Sequence, residues 1–162
     1  MELNGVVTIL QESIYLILVF GVFLGYAMMR GKQSLVNLIL GLYFALLISL
    51  KFPFYDRILS GVDNARLSDS VIIIGIFVVF TFLATLFFTR LMPRDYDDST
   101  FSGFGKKLIL ALLASALVMA YSYHVLPVTE LITPGSPIQM LFSGDSYFFL
   151  WLLAPMVGLF FL

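Results

Sequence analysis

The stretch that decides the fold is VFGVFLGYAMMRGKQSLVNLIL, residues 19–40. Two apolar runs meet there at a short polar knot, Arg30-Gly31-Lys32. Two cations and a glycine between such runs read as the watery turn of a helical hairpin whose arms avoid water. Composition says what the arms prefer instead. The chain of 162 residues is 60% hydrophobic and 12% charged, with mean hydropathy +1.02. A soluble domain is about 45–50% apolar and about 25% charged. There is too little polar surface here to dissolve the chain, and too much apolar surface to hide in one small core. Lipid is the solvent that fits.

Working outward from the knot, five apolar stretches follow one another: Ile14–Met29, Ser34–Leu50, Val71–Leu91, Leu108–Leu126 and Tyr147–Leu162. Roughly 20 residues of helix cross a 30 Å hydrocarbon layer, with a range of about 17–25. Each run is apolar on all faces rather than alternating, which favours buried helix over barrel strand. The expected fold is an all-α integral membrane protein, one polytopic domain over residues 1–162, with four transmembrane helices and a short fifth apolar helix at the C-terminus. Punctuation sets the ends. Ser68-Asp69 offers an N-cap to the third span, and Lys51-Phe52-Pro53 ends the second, because proline disfavours helical geometry in the residue before it. Pro93 and Pro127 close the third and fourth, and Gly103 and Gly105 loosen the loop ahead of Lys106. The opening MELNG has no cationic n-region, so the first span is expected to stay on the protein.

The cations give the orientation. Arg30 and Lys32 lie in one loop, and Arg90, Arg94, Lys106 and Lys107 in another on the same side, together six of the nine Lys and Arg residues. Lys51, Arg57 and Arg66 lie opposite, diluted by Asp56, Asp63 and Asp69. Loops rich in Lys and Arg stay in the cytoplasm, which puts the N-terminus outside.

Chemistry-bearing residues are sparse. Without Cys, and with a single His, the chain offers no thiolate metal site, Cys nucleophile or histidine cluster. A net charge of −1 gives no footprint for nucleic acid. Glu12, Lys51, Arg90 and His124 fall at span ends rather than mid-span, where a carrier's proton relay would be sought. Thr81, Thr85 and Thr89 recur every four residues along one helix face. They read as hydroxyls bonded to their own helix's carbonyls, as a polar packing seam, or as the lining of a path. Gly21 and Gly25 form a G-x-x-x-G pattern, and Ala111 with Ser115, and Ala116 with Ala120, form small-x-x-x-small pairs, all suited to close helix packing. Asp95-Tyr96-Asp97-Asp98 reads as a solvated loop rather than a Ca²⁺ or Mg²⁺ site. His124, beside Tyr121 and Tyr123, reads as part of an interfacial aromatic belt. No catalytic constellation and no cofactor motif is found.

The order of features resembles the colicin V production protein (CvpA) family of bacterial inner-membrane proteins. The resemblance rests on Arg30-Gly31 after the first span, Gly41 in the second, a polar outer loop, and FSGFGKKLILALL leading into the fourth. It implies a non-enzymatic inner-membrane protein linked to colicin V production or export and to envelope maintenance. The leading expectation is thus a scaffold or accessory subunit, partnered by the bilayer and by other membrane proteins or copies of itself. A small channel or transport component is a second reading. An orphan subunit of a large respiratory or photosynthetic complex is a third, since 16% aromatic content suits it.

The C-terminal run decides the span count. It has no charged residue after Asp145, so lying flat would give it almost no polar face to present to water. A short crossing costs only fractions of a kcal/mol per Å of mismatch. A fluorescent reporter fused after Leu162 is therefore expected to light up in the cytoplasm. Activity from a periplasm-only reporter at the same position would overturn the fifth crossing.

Overall fold

The computed structural model describes residues 3–60, 69–92, 103–126, 141, 142 and 144–161. Six helices occur among them: α1 (Leu3–Arg30), α2 (Lys32–Lys51), α3 (Tyr55–Ser60), α4 (Asp69–Leu91), α5 (Phe104–His124) and α6 (Asp145–Phe161). No strand occurs among the described residues. Four helices, α1, α2, α4 and α5, are long and apolar enough to cross a membrane. The Ser68 cap, Asp63, Arg66, Pro93, Arg94, the Asp95–Asp98 run, Pro127 and Leu162 lie outside the described residues.

Gly31 alone joins α1 to α2. Its φ of 85° and ψ of 170° lie where a Cβ is disfavoured, and its N–H still reaches the Ala27 carbonyl at 3.0 Å. The chain reverses there without a loop. The Ser34 hydroxyl adds a bond to the Arg30 carbonyl at 2.9 Å, closing the turn. α1 begins well before Ile14, where the sequence placed the span, because nothing between Leu3 and Ser13 breaks a helix once one has formed. At 28 residues it is about 42 Å long, more than a bilayer core needs. Its apolar window is Ser13–Arg30.

α2 ends as expected at Phe52, extended ahead of Pro53. The short α3, between α2 and α4, was not foreseen in the sequence. Aromatic packing holds it: Phe52 meets the rings of Phe54, Tyr55 and Phe80 edge-on at 5.0–5.6 Å, and the Tyr55 hydroxyl pairs with that of Ser49 at 2.7 Å.

α2 packs most extensively on α4, α1 on α5, and α5 on α6, while α1 and α5 make smaller contacts with α2. α5 is the central element. Its Leu110, Ala114, Leu117 and Tyr121 are fully buried against Leu35, Ile39 and Ala45 of α2 and Ala27 of α1. Phe77 of α4 reaches this core edge-on to Tyr121 at 6.0 Å. The outward faces carry large apolar side chains, among them Ile17, Val22, Phe82 and Phe160. In water that surface would aggregate; against hydrocarbon it is matched.

α6 has 17 residues and a length of about 25 Å, with Pro155 buried inside it. The proline removes one backbone donor. One turn away the Tyr43 hydroxyl, reaching across from α2, donates to the Leu152 carbonyl.

Among the described glycines, the one set closest to another helix's backbone is Gly41. A Cβ there would lie 3.0 Å from the Thr85 backbone nitrogen and 3.2 Å from its Cα, and closer still to its hydroxyl oxygen. Backbone cannot yield as a flexible side chain can. Gly41→Ala is expected to destabilise the bundle by about 1–3 kcal/mol, the usual cost of overpacking, read as a lower melting temperature in detergent. Thr85→Ala in the same chain should restore part of the loss. A Gly41→Ala protein that melts with the wild type would remove this contact from the account.

Candidate functional site

Antiparallel pairing of α2 with α4 aligns their polar residues into one ladder. The Gln33 amide donates to Asn37 Oδ1 at 3.3 Å, and Asn37 Nδ2 donates to Thr89 Oγ1 at 3.4 Å. Thr89, Thr85 and Thr81 each donate to the carbonyl four residues back, at 2.7, 2.7 and 2.9 Å. A hydroxyl has one proton, so Thr89 must accept from Asn37. The threonines are therefore both back-bonded, as one reading expected, and part of a seam that faces α2. Gln33 also donates to Met92 Sδ at 3.6 Å, at the inner edge of the ladder. Asn37 is 3% exposed, deep in the second span. Sequence reading passed over it because a lone amide carries no charge and fits no motif.

The ladder lines a cavity of about 1110 Å³ among α1, α2, α4 and α5. That is at or above the roughly 300–1,000 Å³ of small-molecule pockets. Its floor is α2 and α5. Its walls are α1, through Phe23 and Tyr26, and α4, through Ile74, Val78 and Phe82. α1 and α4 make no extended contact with each other, so the cavity is a lengthwise cleft between them. One end holds Arg30, Gly31, Gln33, Met92 and Lys107. At the other end Tyr15 and Ser122 meet at 3.2 Å. Ser122 gives its own proton to the Val118 carbonyl at 2.8 Å, so Tyr15 is the donor in that pair.

Of the cations that read as topology markers, Arg30 and Lys32 flank the α1–α2 turn, Arg90 closes α4, and Lys106 and Lys107 lie in the first turn of α5. All gather at the Gly31 end. Arg30, Arg90 and Lys106 are exposed, whereas Lys107 is only 3% exposed and lines the cleft. Its neighbour Lys106 looks identical in the sequence. Only the turn of the helix, which aims the two side chains roughly 100° apart, separates them.

The small-residue patterns divide. Ala111, Ser115, Ala116 and Ala120 are all buried in the bundle, Ser115 with its hydroxyl on the Ala111 carbonyl at 2.6 Å. Gly21 and Gly25 have nothing within 4 Å of where a Cβ would be. The close packing expected of that pair is not made within this chain, because α1 turns its opposite face, with Phe23 and Ala27, toward the core. The small residue that does take a helix backbone is Gly41.

His124 joins an aromatic plate at the far end of α5. Its Nε2 is 3.0 Å from the Phe142 carbonyl and its ring lies 4.3 Å from that of Phe148. Phe142 in turn stacks on Trp151 at 4.8 Å, and the Trp151 indole donates to the Leu141 carbonyl at 3.1 Å. The belt expected of His124 and Tyr123 is here a brace that ties α5 to the entry of α6. Among the described residues no group of His, Asp and Glu is placed to hold a metal ion.

No family model, curated protein or solved structure matches the chain.

The amide ladder generates a direct test. Asn37→Leu leaves Gln33 and Thr89 without their shared partner and should loosen α2 from α4 by about 0.6–1.7 kcal/mol, the range measured for hydrogen bonds between membrane helices. Asn37→Gln, which keeps the amide, should recover less than the full amount because it is a methylene too long. Equal melting of all three proteins would mean the ladder contributes nothing to stability.

Proposed function

We propose that the chain is a non-enzymatic integral membrane protein that works as a scaffold or accessory subunit, docking other membrane helices onto the outer face of α1. The observation that carries this reading is the vacant G-x-x-x-G face. Ile14, Leu18, Gly21, Gly25 and Met28 repeat at intervals of three and four, which aligns them on one side of the helix. Ile14, Leu18 and Met28 are more than half exposed, and among the described residues nothing lies within 4 Å of where a Cβ on either glycine would be. Small residues flanked by aliphatic ones let a second helix approach closely, and within lipid such packing replaces the hydrophobic drive. The placement of Arg30, Lys32, Arg90, Lys106 and Lys107, five of the nine Lys and Arg residues, at the Gly31 end supports a cytoplasmic position for that end and an N-terminus outside. The likeness to the colicin V production protein family in the Arg30-Gly31 turn, Gly41 and the glycine-containing lead into α5 supports a place in a bacterial inner membrane and a part in export or envelope maintenance.

A small channel or transport component is the second reading, favoured by the cleft and its threonine ladder. Conductance or solute flux across liposomes carrying the purified protein would establish that reading in place of the scaffold.

The scaffold reading is tested at Gly25. Gly25→Leu is expected to leave the melting temperature of the protein unchanged, since the side chain meets nothing within the bundle. It should weaken association with itself or with copurifying membrane proteins about fivefold, equivalent to about 1 kcal/mol. Energy transfer between labelled copies in liposomes and recovery of partners in mild detergent measure this. Association that survives Gly25→Leu and Gly21→Leu together would refute docking on this face.

A further inference from the structure

We propose that the cleft between α1 and α4 is a seat for one anionic phospholipid of the surrounding bilayer, with its phosphate at Lys107 and Arg30 and an acyl chain running between the two helices. The proposal rests on the membrane reading of the bundle and is independent of the scaffold role.

Lys107 is the residue that asks for an explanation. A lysine is almost never fully buried unless paired, yet this one is 3% exposed. It stands in the first turn of α5, where the free N–H groups of the helix already carry partial positive charge and favour an anion rather than a cation. Among the described residues, no carboxylate pairs with its ammonium. The side chain lines the cleft, and Arg30 lines the same end. Neither Asp nor Glu occurs among the lining residues. Among the described residues, two cations and a helix N-terminus converge there on a space lined by no carboxylate. Gln33 and Asn37, on the α2 part of the floor, add amide groups that suit ester and glycerol oxygens.

The rest of the cleft has a different character. Beyond the amides it is lined by Leu38, Leu42, Ile74, Phe77 and Val78, and the threonine hydroxyls along it are turned onto their own backbone. Such a wall presents methyl groups and aromatic rings, not free donors. A ligand that satisfies both halves carries a compact anion at one end and a hydrocarbon chain behind it. α1 and α4 make no extended contact with each other, so on the membrane reading such a molecule enters sideways between them from the leaflet without crossing water. Basic pockets between helices at the cytoplasmic face are a recurring way of holding anionic headgroups, and the positive Gly31 end is the cytoplasmic one on the charge distribution above.

The test uses the whole protein in nanodiscs of phosphatidylcholine, with phosphatidylglycerol added in increasing fraction. Incorporation into the disc itself checks the membrane reading, so a failure of lipid binding is distinguishable from a failure of that premise. The expected result is a rise in melting temperature with phosphatidylglycerol that phosphatidylcholine alone does not give. About one phosphatidylglycerol should also be retained per chain after mild detergent extraction, counted by native mass spectrometry. Lys107→Gln should weaken that binding about fivefold, the usual worth of one lysine at an anionic membrane surface. Lys106→Gln, which removes the same formal charge from the exposed neighbour, should leave it near the wild-type value, and Lys107→Arg should preserve it. Equal losses from Lys106→Gln and Lys107→Gln would reduce the effect to general surface charge and overturn the seat. So would wild-type protein that retains both lipids alike. A several-fold gain in retention on replacing Asp95, Asp97 and Asp98 by Asn would also overturn it, by assigning Lys107 to a loop acid in the native chain.

Discussion

The contact on which the architecture depends is that of Gly41 with Thr85. It brings the α2 backbone against the Thr85 hydroxyl and backbone with no room for a Cβ, and it fixes the register of α2 against α4 for a turn on each side. In an antiparallel pair, residues that face each other have a constant sum of positions. Gly41 faces Thr85, and one turn away Asn37 faces Thr89, with the same sum. Gln33 then meets Met92 within one residue of that register. Thr85 is a workable partner for glycine because its hydroxyl is folded back onto the Thr81 carbonyl. It offers Gly41 a compact, already bonded surface rather than an unsatisfied donor. A slide of one residue along this seam would leave the Asn37 Nδ2 buried without its Thr89 acceptor, at a cost of about 1–3 kcal/mol. Steric fit and polar satisfaction therefore agree on a single alignment.

From that alignment the cleft follows. α4 is committed to α2, and α1 is committed to α5, while Gly31 keeps α1 and α2 within one residue of each other where the two helices meet. The two outer helices stand on the same side of the α2–α5 floor with no seam of their own. At the far end Tyr15 bonds Ser122, Tyr15 and Leu16 pack on the cluster of Ala116, Met119 and Ala120, and the aromatic brace of His124, Phe142 and Trp151 lies toward α6. The space between α1 and α4 is thus a consequence of where the good packing surfaces are, not of a missing side chain.

Much of this was legible from residue order. Long runs apolar on every side, the Arg30-Gly31-Lys32 turn and the Pro53 stop give the helices and most of their ends, because length and hydropathy are local properties. What was not legible is pairing. Gly21 and Gly25 carry the stronger pattern, yet Gly41, which has no partner glycine at the fourth position, makes the contact. A motif records that a helix has a smooth face, not which way that face turns, and rotation is decided by all the neighbours at once. Asn37 was missed for a related reason: its worth lies in Thr89 on another helix, which sequence spacing cannot supply. Lys106 and Lys107 show the same limit at its sharpest, since adjacent identical residues end in solvent and in the cleft respectively.

Lys107 also bears on why the cleft is kept open rather than filled. Bulkier side chains at Thr81 or Val78 would add apolar contact between α1 and α4, and deletion of voids is ordinarily favourable. A charge buried beside a packed, dry wall would then have no counterpart, and several kcal/mol would be lost for each such ion. An open, laterally accessible cleft avoids that conflict, because an anion, or water drawn in from the interface, can reach the ammonium without disturbing the α2–α4 seam. The threonines complete the arrangement. With their hydroxyls bonded to their own helix they keep the wall smooth toward hydrocarbon, and they leave the polar work at the Gly31 end to the amides and the two cations. The division of the cleft into a charged mouth and an apolar body is therefore set by the same α2–α4 register that Gly41 imposes.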